Sequence, residues 1–147
     1  MRYRIVVAGK PALDYAKSAV DEYLKRLSRH GSYEWVIVKA GTPKQVSERL
    51  LEKSENCFRI ALDERGNMPT TRELASNLEK LELEQGVKTV AFLIGAADGH
   101  AEALRNQSDL TLALSKMTMQ HELALVVLLE QLYRVASIKA RSPYHRD

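Results

Sequence analysis

The stretch KTVAFLIG, residues 88–95, constrains the fold more than any other part of the chain. Val90 to Ile94 offer no polar face, so a strand here must be covered on both sides, as a central strand of a parallel sheet is. Parallel neighbours need crossover connections long enough to hold a helix. The rest of the chain supplies them.

A short apolar run, Arg4–Val7, ends at Gly9 and reads as a first strand. From Pro11 the period changes to helical, with Leu13, Ala16, Val20, Tyr23, Leu24 and Leu27 on one face and Pro11 in the first turn. HGS ends this helix and YEWVIV is a second strand. Thr42, Pro43 and Gln45 make a capped helix start, and FRIAL is a third, buried strand that runs into the polar turn DERGNMP. Thr70 and Glu73 form a second capping box ahead of the Leu74, Leu78 and Leu81 stripe, which Gly86 closes. After KTVAFLIG come a loop with a short helix capped by Asp98, a fifth strand LTLAL, the loop SKMTMQH, and a long helix over Glu122–Lys139.

Unbroken alternation predicts an α/β fold, a parallel-type sheet with helices on both faces. The 147 residues fit one domain, 1–147, with no repeat or composition shift to divide it. The longest apolar run, Leu123–Leu129, is far short of the roughly 20 residues that span a bilayer, and no signal peptide is visible, so a cytoplasmic protein is expected. The formal charge of +3 leans only mildly toward a polyanion partner. Cys57 is the single cysteine and reads as core or near-core packing.

In parallel sheets, ligands bind beyond the carboxyl ends of the strands. That rule selects LDERGN, GAADG and SKMTMQH. LIGAADG is neither a phosphate loop nor a dinucleotide fingerprint, since GxxxxGK[ST] and GxGxxG are both missing. His121 opens the last helix, where the dipole disfavours its protonation; either a capping role or a chemical one fits. That helix is apolar nearly all round in its first two turns, so it should pack between the sheet and a second surface such as a partner subunit. Glu130 and Arg134 have the spacing of a helical ion pair. The terminal SPYHRD leaves the helix stiffly at Pro143; Tyr144 can stack on a base, His145 can exchange protons and Arg146 can hold a phosphate, or the tail can simply clamp Tyr144 onto the domain. The four histidines, His30, His100, His121 and His145, lack ligand spacing, and no metal site is expected.

The ordered set LIG…DG, LSKMTMQHELA, LLEQLYRVASI and terminal SPYHRD resembles the small single-domain SPOUT methyltransferases, which methylate N3 of a pseudouridine in large-subunit ribosomal RNA. The similarity runs the full length and includes EYLKRL in the first helix. It implies an α/β fold with a deep carboxyl-terminal trefoil knot, here roughly residues 88–147, an exception to the unknotted rule. It also implies a homodimer, S-adenosylmethionine as cofactor, and large-subunit ribosomal RNA as substrate; the small net charge of +3 favours an assembled ribosomal particle over free RNA.

Carried onto this chain, the cofactor cradle is Leu62, Gly95, Leu114, Ser115, Lys116, Met117, Thr118 and Met119. The substrate side corresponds to His121, Arg134, Tyr144, His145 and Arg146. His145 or His121 would take the acceptor's proton, Arg134 and Arg146 would stabilise an anion or phosphate, and Tyr144 would position the base. The chain departs from the family in three places. Gly95-Ala96-Ala97-Asp98-Gly99 stands for GGPEG, Thr118-Met119-Gln120-His121 for TLPH, and Leu125 for an arginine. These departures keep open a knotted binding module without turnover, or an enzyme with a different target nucleoside.

Overall fold

The structure, a computed structural model, describes residues 1–147. Five parallel strands, β1 (Arg2–Ala8), β2 (Tyr33–Val38), β3 (Phe58–Asn67), β4 (Thr89–Ile94) and β5 (Leu110–Leu112), lie in the order β2-β1-β4-β3-β5. The helices are α1 (Asp14–Leu27), α2 (Pro43–Lys53), α3 (Thr71–Leu83), α4 (Glu102–Asn106) and α5 (His121–Lys139). The strand predicted to be central is central, and Val90 to Ile94 are all buried.

Side chains alternate across each strand and so divide between two cores. Ile5, Val7, Phe92 and Ile94 point to the face covered by α1, α3 and α5, where Val20, Leu27, Leu78, Leu128 and Leu129 meet them. Val6, Ala8, Ala91 and Leu93 point to the other, where Val46, Leu50 and Leu104 of α2 and α4 pack. Cys57 is half-buried against this second core. Both capping boxes form: Thr42 with Gln45 opens α2, and Thr70 with Glu73 opens α3.

Three local expectations need correction. α1 starts at Asp14, not in the turn of Pro11, because the Ala12 and Leu13 N–H groups are held by the Glu122 carboxylate at 2.7 and 3.0 Å. Asp98 caps nothing; Ala101 stands at the α4 start without a side-chain cap. DERGN is not a free turn, since β3 continues to Asn67 with a break in register: Leu62 and Asn67 both pair with Leu112. Gly66 fits that break because a Cβ there would collide with the Thr111 carbonyl group.

α5 packs on α1 and α3 and buries Leu125, Leu128, Leu129, Leu132, Val135 and Ala136. Leu123 remains exposed, and Val126 and Val127 are only half covered. The helix is thus more apolar than one chain can cover. No helix is long and apolar enough to cross a membrane.

Candidate functional site

The carboxyl ends of β3, β4 and β5 surround a cavity of about 270 Å³. All three segments selected by the sheet rule contribute. Leu62, Gly95, Leu114, Ser115, Met117, Thr118 and Met119 line it, and His121 closes one side; Lys116 does not line it and sits exposed on the loop. The walls are tied together by side chains. Thr118 Oγ1 donates to Glu64 Oε2 at 3.0 Å, joining the loop after β5 to the end of β3. Arg105 Nη1 donates to the His100 carbonyl at 2.7 Å and lies 3.9 Å from Asp63, joining the loop after β4 to β3.

Gly95 has its smallness for a reason. A Cβ there would come within 3.1 Å of His100 Nδ1. His100 is 8 % exposed, and its Nε2 lies 3.1 Å from the Leu93 carbonyl oxygen. A carbonyl only accepts, so Nε2 carries the proton and Nδ1 is a bare acceptor, buried without a partner. Burial lowers the proton affinity of this ring, and the Asp63 charge works the other way. A cavity with a glycine wall, apolar Leu and Met side chains, an unpaired acceptor and the carboxylates of Asp63 and Glu64 suits a ligand that is part aromatic, part cationic.

At the rim, Gln120 caps α5. Its Oε1 accepts from the N–H of Glu122 at 2.9 Å and of Leu123 at 3.0 Å. Leu125, 1 % exposed, is a core residue of the same helix. Both departures from the family pattern therefore have structural work of their own.

The remaining predicted residues gather elsewhere. Tyr144 packs edge-on against Tyr133, centroids 4.6 Å apart, and its hydroxyl donates to Glu130 Oε1 at 3.2 Å. Burial, then Tyr23 and the Glu130 carboxylate, push the Tyr144 phenol up to about 12. Arg134 pairs with Glu130 and donates from Nη1 to His145 Nδ1 at 3.2 Å. His145 Nε2 lies 3.0 Å from Asp147 Oδ1, and Asp147 also holds Arg72 of α3 at 2.8 Å. Arg72 and His145 together hold the Asp147 carboxyl below its usual range. Arg146 is exposed and makes no ion pair.

The structure thus brings together the cradle and His121, and separately Arg134, Tyr144 and His145. None of these last three lines the cavity. Within one chain the tail is a clamp on its own α3 and α5. Sequence reading missed His100 and Arg105. The position after a central strand pointed to their segment, but no spacing marked which side chains turn inward. No group of three or more His, Cys, Asp or Glu side chains is placed to hold a metal ion.

Residues 1–145 match the family described as Predicted SPOUT methyltransferase. Among curated relatives, the chain is 48% identical over 146 residues to the Ribosomal RNA large subunit methyltransferase H of Thermus thermophilus, covering 99% of both chains. It is 40% identical over 146 residues to the protein of the same name from Deinococcus radiodurans, again with 99% of each chain covered. Among solved structures, it superposes on a probable methylase family protein from Haemophilus influenzae with a TM-score of 0.61. That match has 11% identity, covers 99% of this chain and 70% of the other, and shows the fold alone.

Proposed function

The chain belongs to the SPOUT methyltransferase family, and from that premise we propose that it methylates large-subunit ribosomal RNA at N3 of a pseudouridine, with S-adenosylmethionine as methyl donor. The observation that carries this reading is the convergence on one cavity of the three segments selected by their place toward the carboxyl ends of the strands: the outer part of β3, the loop after β4 and the loop after β5.

The cavity fits the donor. Backbone groups around Leu62, Gly95 and residues 114–119 would hold its adenine between the Leu and Met side chains. Asp63 and Glu64 lie where positive charge on the ligand is favoured. S-adenosylmethionine bound there supplies an electrophilic methyl group. What the protein adds is position and field: it aligns the acceptor for in-line attack and favours the acceptor's deprotonated form.

Arg134 of α5 and the tail residues Tyr144, His145 and Arg146 serve the acceptor in this reading. Since they lie outside the cavity of their own chain, they reach a donor held by a second copy, which also covers the open face of α5 at Leu123 and Val127. The working unit is then a homodimer of single-domain chains, each with a knot over roughly residues 88–147, acting in the cytoplasm on an assembled ribosomal particle. A formal charge of +3 gives one chain little general grip on RNA, and recognition of a structured particle by many weak contacts fits better than capture of free RNA.

The test is methyl transfer from labelled donor to ribosomes lacking the mark, with the product nucleoside mapped by mass spectrometry. Methyl on N3 of a pseudouridine supports the reading. Donor binding with no transfer to any ribosomal RNA supports a binding module, and methyl on a different nucleoside moves the substrate.

A further inference from the structure

Gln120 controls more than the start of a helix. Its Oε1 takes three donors: the Glu122 N–H at 2.9 Å, the Leu123 N–H at 3.0 Å and the Tyr15 hydroxyl at 3.1 Å. Turning the amide over would set its NH₂ against two backbone N–H groups, so its orientation is fixed by chemistry. The Nε2 side then faces the His121 ring, 3.2 Å from Nδ1. An amide nitrogen only donates. Nδ1 must therefore present its lone pair, and the ring proton sits on Nε2.

The other side of the ring agrees. The Glu122 carboxylate lies 4.0 Å from Nε2, beyond hydrogen-bond distance but on the side where a proton is favoured. Its second oxygen is taken up by the Ala12 and Leu13 N–H groups, so the carboxylate cannot swing away without releasing the start of α1. Nε2–H is left as the one polar group of His121 free to act on what enters the cavity.

Resting on the methyl-transfer reading, we infer that Gln120 is a positioning residue that holds His121 as an Nε2–H donor, so that His121 stabilises the anion forming on the acceptor base and does not remove its proton. In this step the acceptor N3–H proton leaves to solvent and the N3 lone pair forms the N–C bond. The electron pair of the broken S–C bond stays on sulfur. The His121 proton is shared with a base oxygen throughout and is not transferred. This separates His121 from His145 in role, although both are ring residues of the predicted substrate side.

The experiment is a long-range ¹H–¹⁵N correlation spectrum of the full-length protein, with the His121 ring assigned by its loss in His121→Asn. A protonated Nε2 and bare Nδ1 are expected. Gln120→Glu keeps the oxygen that caps α5 but puts an acceptor against Nδ1, and it is expected to bring a proton to Nδ1. On ribosomes, Gln120→Glu should lower kcat and kcat/KM together by about tenfold or more, leaving KM for the donor unchanged, as for loss of a transition-state hydrogen bond. An Nδ1–H or mixed ring in the native protein, an unchanged ring in Gln120→Glu, or full kcat in that variant with a ring whose Nε2 has lost its proton would each overturn the inference. Absence of transfer by the native protein would overturn the methyl-transfer reading and the role given to His121, while the ring spectrum still decides the role of Gln120.

Discussion

The guanidinium of Arg134 lies over the ring of Tyr144, 5.0 Å from its centroid, and ties the last helix to the end of the chain. Every strong contact of the tail runs through this pair or beside it: Glu130 beneath, His145 on the arginine, Asp147 on Arg72. The tail is ordered by local chemistry, yet none of it touches the cavity formed by β3 and the loops after β4 and β5 of its own chain.

Removing Ser142–Asp147 should therefore leave donor affinity within about twofold, because no cradle residue is lost. Methyl transfer should fall to background. Calorimetry with the donor and a ribosome assay check both halves, and a truncated protein with full turnover would show the tail to be a clamp only.

Two glycines should respond differently to alanine. At Gly66 the added Cβ meets backbone, the Thr111 carbonyl group, which cannot move without disturbing β5. Gly66→Ala is expected to cost about 3 kcal/mol in a denaturant titration. At Gly95 the added Cβ meets His100 Nδ1 at 3.1 Å, a ring that can shift slightly. Gly95→Ala should cost about 1 kcal/mol of stability but weaken donor binding by about tenfold, because the wall of the cradle moves inward.

Glu122 is 8 % exposed and holds two backbone N–H groups of the turn before α1. Glu122→Ala leaves both without a partner and should destabilise the fold by about 2–3 kcal/mol. Hydrogen exchange should speed up first at Ala12 and Leu13. Protection unchanged at those two amides would show that water replaces the carboxylate at no cost.

Tyr144 has a phenol pushed from 10.0 up to about 12 by burial, Tyr23 and Glu130. Tyr33 is likewise raised to about 12 by burial. A group whose folded value lies above its unfolded value contributes stability that is present below pH 10 and is lost as pH rises toward 12. Stability should thus decline across that window, and Tyr144→Phe should make the decline shallower. Absorbance titration should show the native tyrosinate signal of Tyr144 only beyond the ordinary range; ionisation near pH 10 would show an open tail.

Much of this architecture is written in short-range patterns. The all-apolar run Val90–Ile94 can only be central, and the Thr42 and Thr70 boxes mark two helix starts because their chemistry is complete within four residues. What the sequence does not show are partners far apart along the chain. Glu122 sets the start of α1 from 109 and 110 residues away, and Asp109 receives the Arg59 N–H across 50. The turn expected after Leu62 is instead an extension of β3, because Asn67 pairs again with Leu112 after a break that no local pattern marks. The same limit applies to the site. Gly95, Ser115, Met117, Thr118 and Met119 are legible as cavity lining from their place after strands, although Lys116 of the same loop does not line it, whereas His100 is visible only once its ring is seen turned back on Leu93. Arg134 and Tyr144 are legible as a pair of candidates, but their distance from the cavity is a property of the folded chain.

The most direct measurement is a crystal structure of the full chain grown with S-adenosylmethionine. The donor should lie between Gly95 and the loop 114–119, with its adenine against Leu62 and Leu114, and with His121 at the side it closes. A donor bound away from these segments, or no donor at saturating concentration, would contradict the methyl-transfer reading of the cavity.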